Sequence, residues 1–269
     1  MTVTILFALT ATLYFLAGAL YLAFLVRDGA KLAQAGTGLL GVAVVAHMAF
    51  LIIDFLAAGN VPIADIHQAL AVASLLVVLG YLFTVRGKPR LLVLGAFITP
   101  VTLLLFLGAG FRRGVAVVGE GMRSAILPIH VASNVLGLVA FALAFATALA
   151  YVIQDRQLRR KNLGGLFQRL PPLDVLDALS FRLVVIGFLF FTGGVLTGTF
   201  WAVRIDPSSP AIGATQTIGV LAWLLFAGVL LLRVAVGWRG RRAAIGTMLG
   251  FLCACAVLVG YVLRGTGGT

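Results

Sequence analysis

The sequence contains few of the residues that soluble enzymes use for chemistry. Only 10% of its 269 residues are charged, and it has eight acidic residues, three histidines and two cysteines. Cys253 and Cys255 lie two positions apart on different faces of a predicted helix, so we expect no disulfide between them. There is no Cys-x-x-Cys motif for covalent cofactor attachment. There is also no hydrolase-like arrangement and no phosphate-binding glycine loop, so the sequence predicts neither hydrolysis nor nucleotide binding.

Long apolar runs make up most of the chain instead. Hydrophobic residues account for 62% of it, and the mean hydropathy is +1.14. Each run has about the ~20 residues that a helix needs to cross ~30 Å of hydrocarbon, and no alternating strand pattern is present. The runs are residues 3–26, 37–58, 68–85, 91–111, 127–153, 183–203, 216–236 and 243–263. We therefore predict an all-α, polytopic membrane protein with eight transmembrane helices in a single domain, 1–269.

The basic residues are divided unevenly between the two sides of this predicted bundle. The ends and loops that follow the first, third, fifth and seventh runs contain fifteen of the twenty Lys and Arg residues. The positive-inside rule then predicts that both termini are extracytoplasmic, in a multi-pass protein of the bacterial plasma membrane. The basic inner loops would lie against anionic headgroups, so the net charge of +12 indicates membrane lipids as partners and not nucleic acid.

The three histidines lie in or beside predicted helices. His47 is in the middle of the second run, with Asp54 two turns further on the same face. His67 ends the first outer loop, and His130 opens the fifth helix, one turn before Asn134. An ionisable group deep in the membrane is costly, so it generally faces the bundle interior and has a partner. Each histidine can also be read as a hydrogen-bonded core or interface residue.

Haem suits this set of histidines better than zinc does. No His-x-x-x-His spacing supports a zinc site, which needs three or four converging ligands. Haem needs one or two axial imidazoles and an apolar slot, which the nineteen phenylalanines can line. Two ligands of one iron lie ~4 Å apart, whereas the helical rise places His47 about 10–15 Å deeper than His130. His67 and His130, at the same edge, are the pair that can share an iron.

Two glycines in the sixth run also have a predicted structural role. Gly194 and Gly198 are four residues apart, a spacing that lets another helix approach closely.

Three stretches, in this order and spacing, resemble the cytochrome c assembly membrane-protein family. The resemblance covers about residues 37–236, and the eight-helix arrangement is similar to the HemX-type branch and to the core of the CcsA haem-handling proteins. The stretches are Leu127-Pro128-Ile129-His130-Val131, Leu170-Pro171-Pro172-Leu173-Asp174-Val175-Leu176-Asp177 and Thr197-Gly198-Thr199-Phe200-Trp201-Ala202.

The resemblance implies a haem site with departures from the family pattern. His130 matches the family's outer haem ligand, and Trp201 and Trp223 match tryptophans on either side of its tryptophan-rich loop. The loop 204–213 has no tryptophan, and the second outer histidine is missing. His67 is a candidate substitute for it. The positions of the histidines and the resemblance together predict a haem b cofactor, with His130, His47, His67 and Trp201 as its binding residues. His130 and His47 are the predicted iron ligands, with His130 at the outer edge and His47, near Asp54, at a separate deeper site or relay.

These observations leave three hypotheses for the function. The first is a non-enzymatic, haem-handling protein that supports cytochrome c biogenesis by binding or delivering haem at the outer face, with other assembly or haem-synthesis proteins as partners. The second is a HemX-like regulator or scaffold of tetrapyrrole synthesis, which would hold an enzyme through the inner connection 154–182. The third, a small-solute transporter, is disfavoured because the sequence shows no inverted repeat.

Overall fold

The fold is a bundle of membrane-length helices joined by short connections. The computed structural model describes residues 1–27, 29–58, 66–110, 126–161, 164–205 and 214–266. These residues form α1 (Thr2–Val26), α2 (Ala30–Ala58), α3 (Ile66–Val85), α4 (Gly95–Gly110), α5 (Ile126–Arg159), α6 (Leu166–Arg169), α7 (Leu173–Ile205), α8 (Ala214–Ala235) and α9 (Arg241–Thr266). A short 3₁₀-helix, Pro89–Leu94, leads into α4.

Eight of these helices are long and apolar enough to cross a membrane. Of these eight, α4 reaches that length together with the 3₁₀-helix before it, as Pro89–Gly110. Among the described helices, α6, with four residues, is too short. The described residues contain no strand. The prediction of an all-α, multi-pass membrane protein with eight spans is confirmed.

Helix α7 begins ten residues earlier than the apolar run that predicted it. The sixth apolar run of the sequence covers residues 183–203, whereas α7 runs without interruption from Leu173 to Ile205. Pro171 and Pro172 lie just before it, where a missing backbone N–H costs little, and the Leu176 N–H donates to the Pro172 carbonyl. Since neither proline nor glycine follows before Gly187, nothing in this segment interrupts the helical hydrogen bonds.

Helix α5 lies at the centre of the bundle. It packs against α3 on one side and against α7 and α9 on the other, while α1, α2 and α4 pack together beside α3. Alanine recurs along its buried surface, and small side chains allow neighbouring helix backbones to come close in lipid. The buried alanines are Ala140, Ala142, Ala144, Ala146, Ala148 and Ala150.

The two ends of the bundle differ chemically, and we name them by their residues. The histidine end contains the start of α3 with His67, the start of α5 with His130, and the last turns of α4 and α7. The arginine end contains the end of α5 with Arg159, the end of α8 with Arg233, and the starts of α7 and α9.

Candidate functional site

His130 lies in the first turns of α5, half-buried against α7. Its Nδ1 is 2.8 Å from the carbonyl oxygen of Gly194 and 3.3 Å from the hydroxyl of Thr197. Because a carbonyl oxygen can only accept, Nδ1 carries the proton and donates it to Gly194. Nε2 therefore keeps its lone pair, which is the form in which an imidazole coordinates a metal ion.

The Asn134 amide lies across the face of the His130 ring. Its Nδ2 donates to the His130 backbone carbonyl at 2.8 Å, and it is 3.3 Å from Nε2 and 3.4 Å from Nδ1. A group almost equally distant from both ring nitrogens is over the ring face and not along the in-plane lone pair of either. The amide thus supports the ring while the lone pair of Nε2 stays available.

Two glycines make this close approach of α5 to α7 possible. A Cβ on Gly198 would lie 2.6 Å from Cε1 of His130, and one on Gly194 would lie 2.6 Å from the Asn134 amide. Any larger residue would displace the imidazole or the amide from the α7 backbone. The predicted close helix approach at Gly194 and Gly198 is confirmed, and α5 is the helix that makes it.

His67 is held in a similar way at the start of α3. Its Nδ1 is 3.1 Å from the carbonyl oxygen of Gly108, in the last turn of α4. The same argument assigns the proton to Nδ1 and the lone pair to Nε2. The histidine end therefore has two partly buried imidazoles, each anchored through Nδ1 to a glycine carbonyl of a neighbouring helix. The sequence does not indicate this shared anchor, because every residue has a backbone carbonyl and nothing in the sequence marks Gly194 or Gly108 as the acceptor.

His47 occupies a different environment, fully buried among α1, α2 and α4. Its Nδ1 is 2.8 Å from the hydroxyl of Tyr14, and its Nε2 is buried with no hydrogen-bond partner among the described residues. The ring centroid of Phe106 is 4.5 Å away, and that of Phe50 is 6.0 Å away. The partner of His47 is thus Tyr14, whereas the sequence had suggested Asp54.

The three histidines occupy three separate environments. Within the described ranges, no hydrogen bond or ring contact joins any two of them. The backbone of Trp201 belongs to α7, but its side chain and the loop 206–213 lie outside the described residues. Trp223, on α8, donates from Nε1 to the Thr192 hydroxyl at 2.9 Å and stacks on Phe188 of α7.

Known proteins resemble this chain over most of its length. Residues 64–264 match the family described as Cytochrome C assembly protein. Three relatives are named "Cytochrome c biogenesis protein CcsA". That of Synechococcus sp. (strain CC9902) is 27% identical over 243 residues, covering 81% of this chain and 80% of the relative. That of Synechococcus sp. (strain CC9311) is 26% identical over 280 residues, covering 93% and 92%. That of Prochlorococcus marinus (strain MIT 9303) is 25% identical over 279 residues, covering 93% and 87%.

The family match covers residues 64–264 and leaves the first two helices outside it. It includes the segments that contain His67 and His130 and both ends of the bundle, but it begins after α1 and α2, so His47 lies outside it. The match extends further towards the C-terminus than the resemblance recognised from the motifs. Because it covers most of the sequence, the chain belongs to the cytochrome c assembly protein family and has a role in cytochrome c biogenesis.

Proposed function

We propose that the protein binds haem b at the histidine end of the bundle and supports haem delivery during cytochrome c biogenesis. The observation that carries this proposal is the hydrogen bond from Nδ1 of His130 to the Gly194 carbonyl. A metal-binding histidine generally donates its other ring N–H to such an acceptor, which fixes both the tautomer and the ring orientation. His130 is therefore the proposed axial ligand.

His67 is the proposed second ligand at the same end. It lacks a clear counterpart in the family pattern, yet its Nδ1 has the same kind of anchor, the Gly108 carbonyl. His130 and His67 would hold the iron through the free lone pairs of two neutral imidazoles, a donor type that haem iron accepts. The porphyrin would be held noncovalently, since the chain has no Cys-x-x-Cys motif.

His47 is left out of this proposed site for a geometric reason. Its side chain is 0% exposed, and the Phe106 ring packs edge-on against it. A macrocycle would have to displace this aromatic cluster to reach Nε2. Iron ligation by His47 stays a prediction, separate from the site at the histidine end.

The regulator hypothesis receives less support from the connection between α5 and α7. Arg169, in α6, donates to the carbonyl oxygens of Phe24 and Leu25 at the end of α1. Gln154 donates to the Phe167 carbonyl at 3.2 Å. This part of the connection is therefore bound within the bundle.

We propose that the protein is in the bacterial plasma membrane with other cytochrome-assembly proteins as its partners.

Absorption spectroscopy of the purified full chain tests the haem proposal. Protein from haem-replete cells should show a Soret band and, when reduced, an α band. His130→Gly should lose most of the haem, and added imidazole should restore it. His67→Ala should retain haem with a changed axial ligand set, visible in the spectrum. A colourless wild-type preparation, or a His130→Gly spectrum identical to wild type, would overturn the proposal.

A further inference from the structure

A cleft lined by arginine side chains opens at the arginine end, between the last turns of α5 and the first turn of α9. It has two parts, of about 390 Å³ and about 500 Å³, which share Arg159 and Arg241. We call both parts together the arginine cleft. Its lining residues are Val152, Arg156, Arg159, Arg160, Val236, Gly237, Trp238, Arg239, Arg241 and Arg242.

We propose that this cleft binds the phosphate group of an anionic phospholipid. The site is at the opposite end of the bundle from the proposed haem ligands and does not depend on haem binding. Six arginines line it, and only Arg159 among them has an ion-pair partner within the described part of the chain, the Asp155 carboxylate at 2.9 Å. The cleft thus has a large excess of positive charge, which favours an anion.

A carboxylate near the cleft is already bound elsewhere. Asp177 forms a bidentate pair with Arg233, with distances of 2.6 and 3.1 Å, and also accepts the backbone N–H of Gly240 at 3.1 Å. Asp177 therefore does not neutralise the arginines of the cleft. Its contact with Gly240 instead holds the turn that precedes α9.

The start of α9 adds to the attraction for an anion. Gly237 and Gly240 have positive φ angles of 74° and 70°, a backbone conformation that suits glycine, and they build the tight turn that places Arg239 beside Arg241. The first N–H groups of a helix have no partner within it and give this end a partial positive charge. Backbone and side chains thus favour the same kind of ligand.

The apolar part of the lining favours a lipid over free phosphate. Val152 lies inside the apolar span of α5, about two turns before its end, and Val236 directly follows the span of α8. Trp238 has the amphipathic ring typical of membrane interfaces. A phospholipid presents its phosphate at this depth and its acyl chains to the apolar side. Basic pockets between transmembrane helices bind anionic headgroups in this way.

Native mass spectrometry of the full chain, delipidated in a neutral detergent, tests the proposal. Phosphatidylglycerol and phosphatidylcholine are titrated separately, and the affinity of the first bound lipid is compared. Wild type should prefer phosphatidylglycerol, and Arg156→Gln/Arg241→Gln should weaken its binding at least about tenfold. The matched control, Arg86→Gln/Arg90→Gln, removes two exposed charges outside the cleft at the same end and should change binding less than about twofold.

Three outcomes would overturn the proposal. Equal affinity for the two lipids would show that the cleft does not recognise headgroup charge. Equal losses of phosphatidylglycerol affinity in the cleft and control variants would show that the cleft is not the binding site. Displacement of phosphatidylglycerol by excess inorganic phosphate would identify a free phosphate as the ligand instead. Melting curves of both variants show whether each is folded before the comparison, and the haem spectrum plays no part in any of these outcomes.

Discussion

For each of the three histidines, the hydrogen-bond partner decides whether the tautomer of the imidazole is fixed. The carbonyls of Gly194 and Gly108 can only accept, so they fix the tautomers of His130 and His67. The Tyr14 hydroxyl can donate or accept, so it leaves both neutral tautomers open to His47. Two of the three imidazoles thus have a defined lone pair at Nε2, while the third is a buried polar group with one partner.

A methyl group at Gly198 should disturb the proposed haem site. The added Cβ would lie 2.6 Å from Cε1 of His130, so the imidazole must move away from the Gly194 carbonyl. We expect Gly198→Ala to weaken haem retention about tenfold, as loss of a ligand's supporting hydrogen bond does.

Gly193→Ala is the matched control for this variant, and haem per protein from the Soret band is the measurement. Its Cβ would meet Ser133 at an ordinary 3.6 Å. Equal haem content in Gly198→Ala and wild type would contradict the proposed role of the glycine.

The Tyr14 and His47 pair should behave as a coupled unit. Tyr14→Phe would leave both nitrogens of a fully buried imidazole without a partner, at a cost of about 1–3 kcal/mol. His47→Leu would leave the Tyr14 hydroxyl unpaired, whereas the double variant removes both polar groups. We therefore expect the double variant to be more stable than the sum of the single effects implies, as measured by thermal unfolding in detergent. Strictly additive losses would mean that the hydrogen bond contributes nothing.

Between elements, one carboxylate joins three helices at the arginine end. Asp177 of α7 binds Arg233 of α8 and the Gly240 N–H just before α9. The Arg233 guanidinium also lies 4.4 Å from the centre of the Phe181 ring, a cation–π contact. The side chains of Arg233 and Asp177 are only 10% and 19% exposed, so the pair is weakly screened by solvent.

Removing this carboxylate should loosen α7, α8 and α9 together. Asp177→Asn would leave the Arg233 guanidinium mostly buried without its counter-charge, and we expect a loss of about 1–3 kcal/mol. Asp174→Asn is the control, because Asp174 is exposed in the first turn of α7, three residues before Asp177. In thermal unfolding, Asp177→Asn should have a lower melting temperature than Asp174→Asn. Equal melting temperatures would show that the buried pair does not stabilise the helix arrangement.

For the whole molecule, the uneven charge predicts how the bundle is oriented in the membrane. Eight spans place the two termini on the same side, and the excess of arginine at the opposite end predicts that this side is extracytoplasmic. Alkaline phosphatase fused after Thr269 should therefore be active, and the same reporter inserted at Gly165 should be inactive. The reverse pattern would invert the bundle and place His67 and His130 on the cytoplasmic side.

Much of this molecule could be predicted from local sequence, because the bilayer acts on each segment separately. A span needs a certain length and hydropathy, so the eight helices were predictable one at a time. The paired glycines at 194 and 198 likewise indicated a close approach, though not which helix makes it. The family resemblance came from the order of short stretches around His130, Asp174 and Trp201.

Tertiary structure alone decided which groups meet. Asp177 and Arg233 are 56 residues apart, and His130 finds its acceptor 64 residues away on the backbone of α7. A backbone carbonyl is chemically the same at every residue, so no sequence pattern marks Gly194 or Gly108 as acceptors. The bilayer requires each span to be apolar, but the packing of one span on another determines the tautomer of a histidine or the counter-ion of an arginine.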